Sequence, residues 1–400
     1  MLRVVLIIFL FGSSIAVGKS DKLTKDEAVN YLEILWEKHQ ETIRKERANE
    51  MAELKIQIGE HVMPFLSKHY GGKPRDGWSL FISLHGGGGV PNKLNNDQWK
   101  NQFRLGGAYR PKNAIYIAPR APTNTWNLWH QAHIDHLLDR LIENLVVLED
   151  VNPNAVYLMG YSAGGDGVYQ LAPRMADRFA GAAMMAGHPN EASPLGLRNI
   201  AFSIHVGQND TPYNRNSVAK RWKQKLKALH DHDKGGYNTQ VHIHKNKGHW
   251  MNLEDRVAIP WLQRFIRDPL PKKVVWKQDD VLHDRFYWLA LPSGTAHKNQ
   301  QITASIKDQT ITIEKCEGTN QILIRLNDKM LDLDKPIKVI SIDGSILFEG
   351  KVVRLQGTAK RTFDSRRDKF LTFFTELSVD LKTNQAMQIT DKTDISHSIR

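Results

Sequence analysis

Between residues 78 and 245 the chain alternates short apolar runs with longer helical stretches. The runs are WSLFISL (78–84), AIYIAP (114–119), AVYLMG (155–160), FAGAAMMAG (179–187), IAFSIHVG (200–207) and TQVHIHK (239–245), and they show little strict alternation. Stretches such as HIDHLLDRLIENLVVLED and NRNSVAKRWKQKLKALHDHD lie between them. Strands apolar on both faces and separated by helices imply an α/β fold, a doubly wound, mostly parallel sheet covered on both sides. In such a sheet ligands gather at the C-terminal ends of the strands, and the glycines, histidines and acids of this region cluster just after the runs.

The flanks read differently. Residues 1–18 hold one arginine, an apolar run from Val4 to Phe11 and then small residues. That is the form of a secretory signal peptide, which predicts a secreted or periplasmic protein without a stable transmembrane segment. Residues 19–73 are expected to form an N-terminal helical segment, because Val29, Leu32, Trp36, Ile43, Met51, Leu54 and Ile58 recur at helical spacing. Thr24 followed by Glu27 marks its start as a capping box. A catalytic unit is expected over 74–270, closed by a helix at about 254–267. Over 271–400 near-alternating runs such as QQITASIKDQTITIEKC and KFLTFFTELSVDL, with turns such as DGS, predict a β-rich domain of sandwich type.

Composition narrows the partners. The single cysteine, Cys316, allows no intrachain disulfide. The formal charge is +12, but acids are interspersed with the bases and no basic tail or aromatic and basic repeat appears. The charge therefore suits an anionic polymer or surface and does not indicate nucleic acid. Oligomeric state is not encoded in any pattern found.

The strand AVYLM runs into GYSAG, residues 160–164, a G-x-S-x-G pentapeptide. Small residues two before and two after a serine let a sharp strand-to-helix turn form, which lifts Ser162 clear of the sheet. A serine hydroxyl is a weak nucleophile and needs a base with a group to orient it. Asp210 follows the run at 200–207, and His249 follows the run at 239–245, so strand order brings both to the sheet edge that holds Ser162. Asp166, Asp231 and Asp233 compete less well as the acid, being on the helix leaving the turn or in a charged connection. His242 and His244 could pair with His249 around a metal, but no acidic or cysteine ligand stands at fixed spacing with them, so no metal is expected.

His85 opens the run HGGGG. Glycines after an early strand expose backbone N–H groups to an anionic oxygen, so Gly86, Gly87 and Ala163 are the expected oxyanion donors. The run lacks the G-K-[ST] of a P-loop and the G-x-G-x-x-G of a dinucleotide site. The segment APRAPTNTWNLWHQAH should reach the same edge, making Arg120, Trp126, Trp129 and His130 candidate pocket walls. His85 and His188 complete that set.

Together LFISLHGGGG, IYIAPRAP, VYLMGYSAGGDGVYQLA, HVGQNDTPY and KGHW resemble the α/β-hydrolase superfamily. The likeness, over about 78–267, is to secreted esterases of polyhydroxybutyrate depolymerase and feruloyl or acetylxylan esterase type, and to prolyl-oligopeptidase catalytic domains. The resemblance implies a nucleophile at Ser162, an acid at Asp210, a base at His249 and a cofactor-free hydrolysis of small or polymeric esters. The chain departs from many secreted members in lacking disulfides. Two alternatives stand beside an esterase: a serine peptidase, which Arg120 would suit by holding a carboxylate, and a non-catalytic binding protein on a hydrolase fold.

Overall fold

The computed structural model describes residues 21–390. The signal-peptide reading of residues 1–18 lies outside the described residues. Each of the six apolar runs between residues 78 and 245 forms a strand of one eight-stranded sheet, built from β1 (Lys55–Ile58), β2 (His61–Tyr70), β3 (Trp78–Leu84), β4 (Ala114–Pro119), β5 (Val151–Tyr161), β6 (Gly181–Met185), β7 (Ala201–Gly207) and β8 (Thr239–His244). Their spatial order is β1-β2-β4-β3-β5-β6-β7-β8. Strands β3 to β8 pair in parallel, and β2 runs antiparallel to both β1 and β4.

The helices are α1 (Lys25–Glu46), α2 (Ala48–Ala52), α3 (Asn92–Tyr109), α4 (Ala132–Leu148), α5 (Ala163–Arg174), α6 (Arg215–His232), α7 (Ala258–Leu262) and α8 (Gln356–Arg366). The two-residue period of the strands sorts the core into two layers. Leu80, Ile82, Leu84, Ile115, Ile117, Val156 and Leu158 share a buried cluster with Leu137 and Leu141 of α4, Val168 and Leu171 of α5, and Trp222 of α6. Their alternating neighbours Phe81, Tyr116, Tyr157 and Met159 pack on the opposite face with Tyr109 of α3 and Ile259 and Leu262 of α7. Burial on both faces explains why the runs read as continuously apolar.

Besides the closing helix expected at about 254–267, whose α-helical part spans only Ala258–Leu262, two stretches depart from the sequence reading. The helical pattern read through Ile58 ends at Ala52: Leu54 takes a left-handed backbone (φ 51°), and a turn at Gly59 (φ 58°) folds β1 back on β2. Residues 55–70, read with the N-terminal helices, thus extend the central sheet. The start of α1 follows the expectation, with the Thr24 hydroxyl accepting from the Glu27 N–H (3.3 Å) and the Glu27 carboxylate accepting from the Thr24 N–H (2.8 Å). The second departure is α8, a helix inside the β-rich region, where only Ala359 and Phe363 supply buried apolar side chains.

Beyond residue 272 the chain forms two five-stranded sheets. One holds Lys273–Lys277, Gln301–Lys307, Thr310–Glu317, Ile337–Ile340 and Ile346–Gly350; the other holds Arg285–Phe286, Leu289–Ala290, Gln321–Leu326, Thr375–Asp380 and Gln385–Gln388. Buried Ile302, Ala304, Ile311 and Ile313 of the first and Ile322, Ile324, Leu377 and Val379 of the second give a sandwich-like core. Buried ion pairs weld this unit to the central one: Arg366 to Asp177 (2.5 Å) and Asp139 (3.2 Å), Arg178 to Asp368 (3.7 Å), and Arg267 to Asp368 (2.8 Å). The N-terminal segment bridges both units, since Lys22–Leu23 pairs with Arg354–Leu355 and Arg47 bonds Glu143 of α4 (2.8 Å).

Candidate active site

Strand β5 ends at Tyr161 and α5 begins at Ala163, so Ser162 alone makes the turn. Its backbone is strained, with φ 58° and ψ −123°. The geometry holds because the flanking glycines pack with no room to spare. A Cβ on Gly160 would meet the Gly164 carbonyl oxygen at 2.2 Å, and one on Gly164 would meet the Leu84 carbonyl oxygen at 2.1 Å. The Ser162 N–H donates to the Met185 carbonyl on β6 (2.9 Å), which fixes the turn to the sheet.

Two loops bring the other groups. The Gln208 N–H donates to the His244 carbonyl (2.9 Å) and the Asn209 N–H to the Lys247 carbonyl (2.8 Å), so the loops after β7 and β8 are stitched together. Asp210 is fully buried, and its Oδ2 lies 2.9 Å from Nδ1 of His249. A carboxylate only accepts, so Nδ1 carries the hydrogen and Nε2 is left as an acceptor facing the Ser162 hydroxyl at 3.0 Å. The other Asp210 oxygen lies 3.5 Å from Arg215 Nη1. The His249 side chain stays 42 % exposed while its partner Asp210 is sealed, so the open end of the chain faces the solvent side.

Tyr161, the residue before the serine, holds the histidine loop from beneath. Its hydroxyl donates to the His249 carbonyl (2.6 Å) and accepts from the Met251 N–H (3.0 Å). Burial pushes this phenol well above its ordinary pKa, so it remains a donor. Sequence reading passed over it, although a tyrosine inside the pentapeptide was in view.

The glycine loop is braced from behind. His85 is fully buried and burial drives its imidazole down to about 3, so it is neutral. Its Nδ1 donates to the Gly86 carbonyl (2.6 Å) and its Nε2 accepts from the Ala121 N–H (3.1 Å). A trans peptide carries C=O and N–H on opposite sides, so the Gly87 N–H points away from His85. Gly86 lies against the serine: a Cβ on it would come 3.1 Å from the Ser162 Cβ. Gly87 has φ 116°, and a Cβ there would meet Asn95 Oδ1 at 2.0 Å. Buried Asn95 accepts from the Gly88 N–H (3.0 Å) and donates to the Gly88 carbonyl (2.9 Å), pinning the loop to α3. Ala163, as the first residue of α5, has an N–H with no partner within the helix.

A cavity of about 600 Å³ opens beside Ser162. Gly86, Gly87, Tyr161 and His249 border it, and Leu94, Gln98, Asn101, Gln102, Leu105 and Ala108 of α3 form its long wall, with Trp250 and Leu253 opposite. None of the six residues expected as pocket walls lines it. Trp129 is fully buried behind the loop, its indole N–H donating to the His85 carbonyl (2.9 Å). Arg120 is spent on its own loop and the first turns of α3, donating to the Ala121 (2.5 Å) and Thr123 (3.1 Å) carbonyls and to the side chains of Asn92, Asn96 and Asn124. The His130 carbonyl caps Arg174 (3.1 Å), and the His188 N–H donates to Asp166 (2.6 Å). Trp126 is 63 % exposed against Tyr213, ring centroids 5.7 Å apart, outside the cavity. The α3 wall carried a signal, since Leu94, Gln98, Leu105 and Ala108 recur at helical spacing, but side-chain amides announce no chemistry.

The rings of His242 and His244 on β8 lie nearly parallel to each other. They stack with His205 of β7, and His205 Nδ1 lies 3.2 Å from His244 Nε2. Among the described residues no helix is long and apolar enough to cross a membrane.

A mostly parallel eight-stranded sheet, an antiparallel strand near one edge, and a strained serine turn between the fifth strand and its helix define an α/β-hydrolase type of fold, here with a helical N-terminal region and a β-rich C-terminal one. No family model matches the chain, and no curated protein is similar to it in sequence. Among solved structures it resembles a thermostable esterase (19% identity, TM-score 0.39), covering 53% of this chain and 62% of that one. It also resembles LpqC, a poly(3-hydroxybutyrate) depolymerase from Bordetella parapertussis (15% identity, 52% of this chain and 86% of that one, TM-score 0.38). An acetyl xylan esterase from Aspergillus awamori is similar at 13% identity over 52% of this chain and 97% of that one (TM-score 0.38). These likenesses are distant and partial, and the chain spans about three fifths of the thermostable esterase's length (62%).

Proposed function

We propose that the chain is a serine hydrolase that cleaves carboxylic esters through an acyl-enzyme intermediate. The observation that carries this reading is the continuous hydrogen-bonded chain from buried Asp210 through His249 to Ser162, at 2.9 and 3.0 Å, beside a braced glycine loop. In the first step the Ser162 oxygen forms a bond to the acyl carbon, the carbonyl electron pair moves onto oxygen, and His249 Nε2 takes the serine proton. Asp210 holds the imidazole in the required tautomer and stabilises the imidazolium that forms. The N–H groups of Gly87 and Ala163 receive the oxyanion, with the adjacent Gly86 N–H as a further donor. The intermediate then collapses, the alcohol oxygen leaves with the proton from His249, and an acyl-serine remains. Water repeats the sequence and releases the carboxylic acid. No step requires a cofactor.

Engagement of Arg120 by its own loop and by Asn92 and Asn96 of α3 removes the feature that would have suited a peptidase reading. Export, read from residues 1–18, belongs to the same proposal and is tested by N-terminal sequencing of the mature protein. For the chemistry, Ser162→Ala should lower kcat/KM on p-nitrophenyl esters by about 10⁴-fold or more and abolish labelling by a fluorophosphonate, with the unfolding transition unchanged. Full turnover in the purified variant would defeat the proposal.

A further inference from the structure

We infer that the part of the substrate entering the α3 cavity ends in an anionic group, a carboxylate or its equivalent, received by Arg104. This rests on the hydrolase reading of Ser162. Among the residues lining the cavity Arg104 is the one permanently charged side chain, and no aspartate or glutamate lines it. Of the arginines buried elsewhere, all but Arg120, whose donors are taken up by carbonyls and asparagines, are committed to carboxylates, as Arg174 is to Asp135 (2.5 Å) and Arg366 to Asp177 (2.5 Å). Arg104 instead has a single side-chain hydrogen bond, from Nη1 to the neutral Asn101 oxygen at 3.0 Å, and no carboxylate within ion-pair distance among the described residues. Its remaining donors are available.

The placement along α3 suits an amphipathic ligand. Leu94, Leu105 and Ala108, with Trp250 and Leu253, give an apolar wall; Gln98 and Asn101 add amides; Arg104 stands three residues beyond Asn101 and four before Ala108, at the solvent edge of that face. A volume of about 600 Å³ accepts a chain of several carbons besides the ester itself. Burial of that chain supplies affinity, and the planar guanidinium supplies a charge-assisted end point. A formal charge of +12 raises the local concentration of anions in the same sense. A cationic substituent would find no counter-charge in the cavity.

Two matched pairs of esters test this, one for each side of the scissile bond. The p-nitrophenyl half-ester of adipic acid is compared with p-nitrophenyl hexanoate, and 4-(butanoyloxy)benzoate with 4-methylphenyl butanoate. At low salt the wild type should favour the anionic member of at least one pair by about tenfold in kcat/KM, and the preference should shrink toward unity as salt rises to ~0.5 M. Arg104→Gln should erase that ratio, and Arg104→Glu should reverse it. Equal ratios in both pairs, or a preference that survives Arg104→Gln, would overturn the assignment. Fluorophosphonate labelling is measured alongside: an unlabelled wild type overturns the hydrolase reading itself, whereas a labelled protein without charge preference overturns only the role of Arg104.

Discussion

The C-terminal edge of the central sheet and the junction with the β-rich unit both concentrate polar groups, and they treat them in opposite ways. At the junction Arg178, Arg267 and Arg366 are buried and each faces carboxylates, with Asp139, Asp177 and Asp368 shared among them. At the sheet edge the polar chain is buried only at its Asp210 end and opens at His249 and Ser162, on a backbone held at φ 58°. One region spends its charges on cohesion; the other opens a hydroxyl, an imidazole and a glycine loop onto a cavity. The difference separates what holds the chain together from what is available to react.

The sharpest way to break this contrast is to unpair the junction. Arg366→Met removes the guanidinium between Asp177 and Asp139 and leaves Asp177 buried without it. Breaking a buried pair in this way costs about 3–5 kcal/mol. Chemical denaturation should show that loss, while the folded fraction turns over ester at the wild-type rate. A normal midpoint, or a fall in kcat among folded molecules, would mean that the two regions are not separable.

A smaller change tests how the open edge is kept in register. Tyr161→Phe removes the one hydroxyl that joins the His249 carbonyl and the Met251 N–H. The ring stays, so the packing of the turn is retained, but the histidine loop loses its clamp. An unpaired buried backbone group costs about 1–3 kcal/mol, and part of that falls on the alignment of His249 with Ser162. The expectation is a drop in kcat of about thirtyfold with KM nearly constant. A variant altered in KM and kcat together would mean that Tyr161, which borders the cavity, contacts the substrate and is not a positioning residue.

How much of this was legible follows from what each signal encodes. The juxtaposition of Ser162, Asp210 and His249 could be read from the sequence because a parallel sheet brings the ends of successive strands to one edge, so chain order stands in for distance. The glycine loop was legible for the same reason, but His85 was not: expected as a pocket wall, it is fully buried and braces the loop from behind. The cavity was not, because nothing in WNLWHQ tells which tryptophan faces inward: Trp129 is fully buried behind the loop and Trp126 is 63 % exposed. Asn95 and Tyr161 escaped because each acts through backbone groups that belong to other elements, which no local pattern records. In the flank, Leu54 and Ile58 fitted a helical period that Met51 had begun, and only the pairing of Ile56 with Met63 across the hairpin makes that stretch a strand. The helix Gln356–Arg366 was hidden by its composition, since its stability comes from Thr358, Thr362 and Phe363 packed into the unit it crosses.

The smallest expected effect concerns Asp166, which sits between the two regimes: a carboxylate beside the open edge, largely buried, with no guanidinium in ion-pair contact. Burial raises it from 3.8 to about 6, and the His188 N–H, which donates to it at 2.6 Å, together with the charges of Arg215, His188 and His249, only partly opposes that shift. The sign of the linkage follows. Between roughly pH 4 and pH 6 the folded chain keeps a proton there that the unfolded chain has released, so this group makes stability fall as pH rises through that window. The full shift corresponds to about 3 kcal/mol, and solvent at the site mouth trims it to about 1. Asp166→Asn preserves an oxygen for the His188 N–H and has nothing to ionise. It should therefore be more stable than wild type by about 1 kcal/mol at pH 7 and equal to it near pH 4, read from denaturant midpoints at the two values. The same offset at both pH values would show that Asp166 already shares the paired character of the junction, and would erase the boundary between the two regions at that residue.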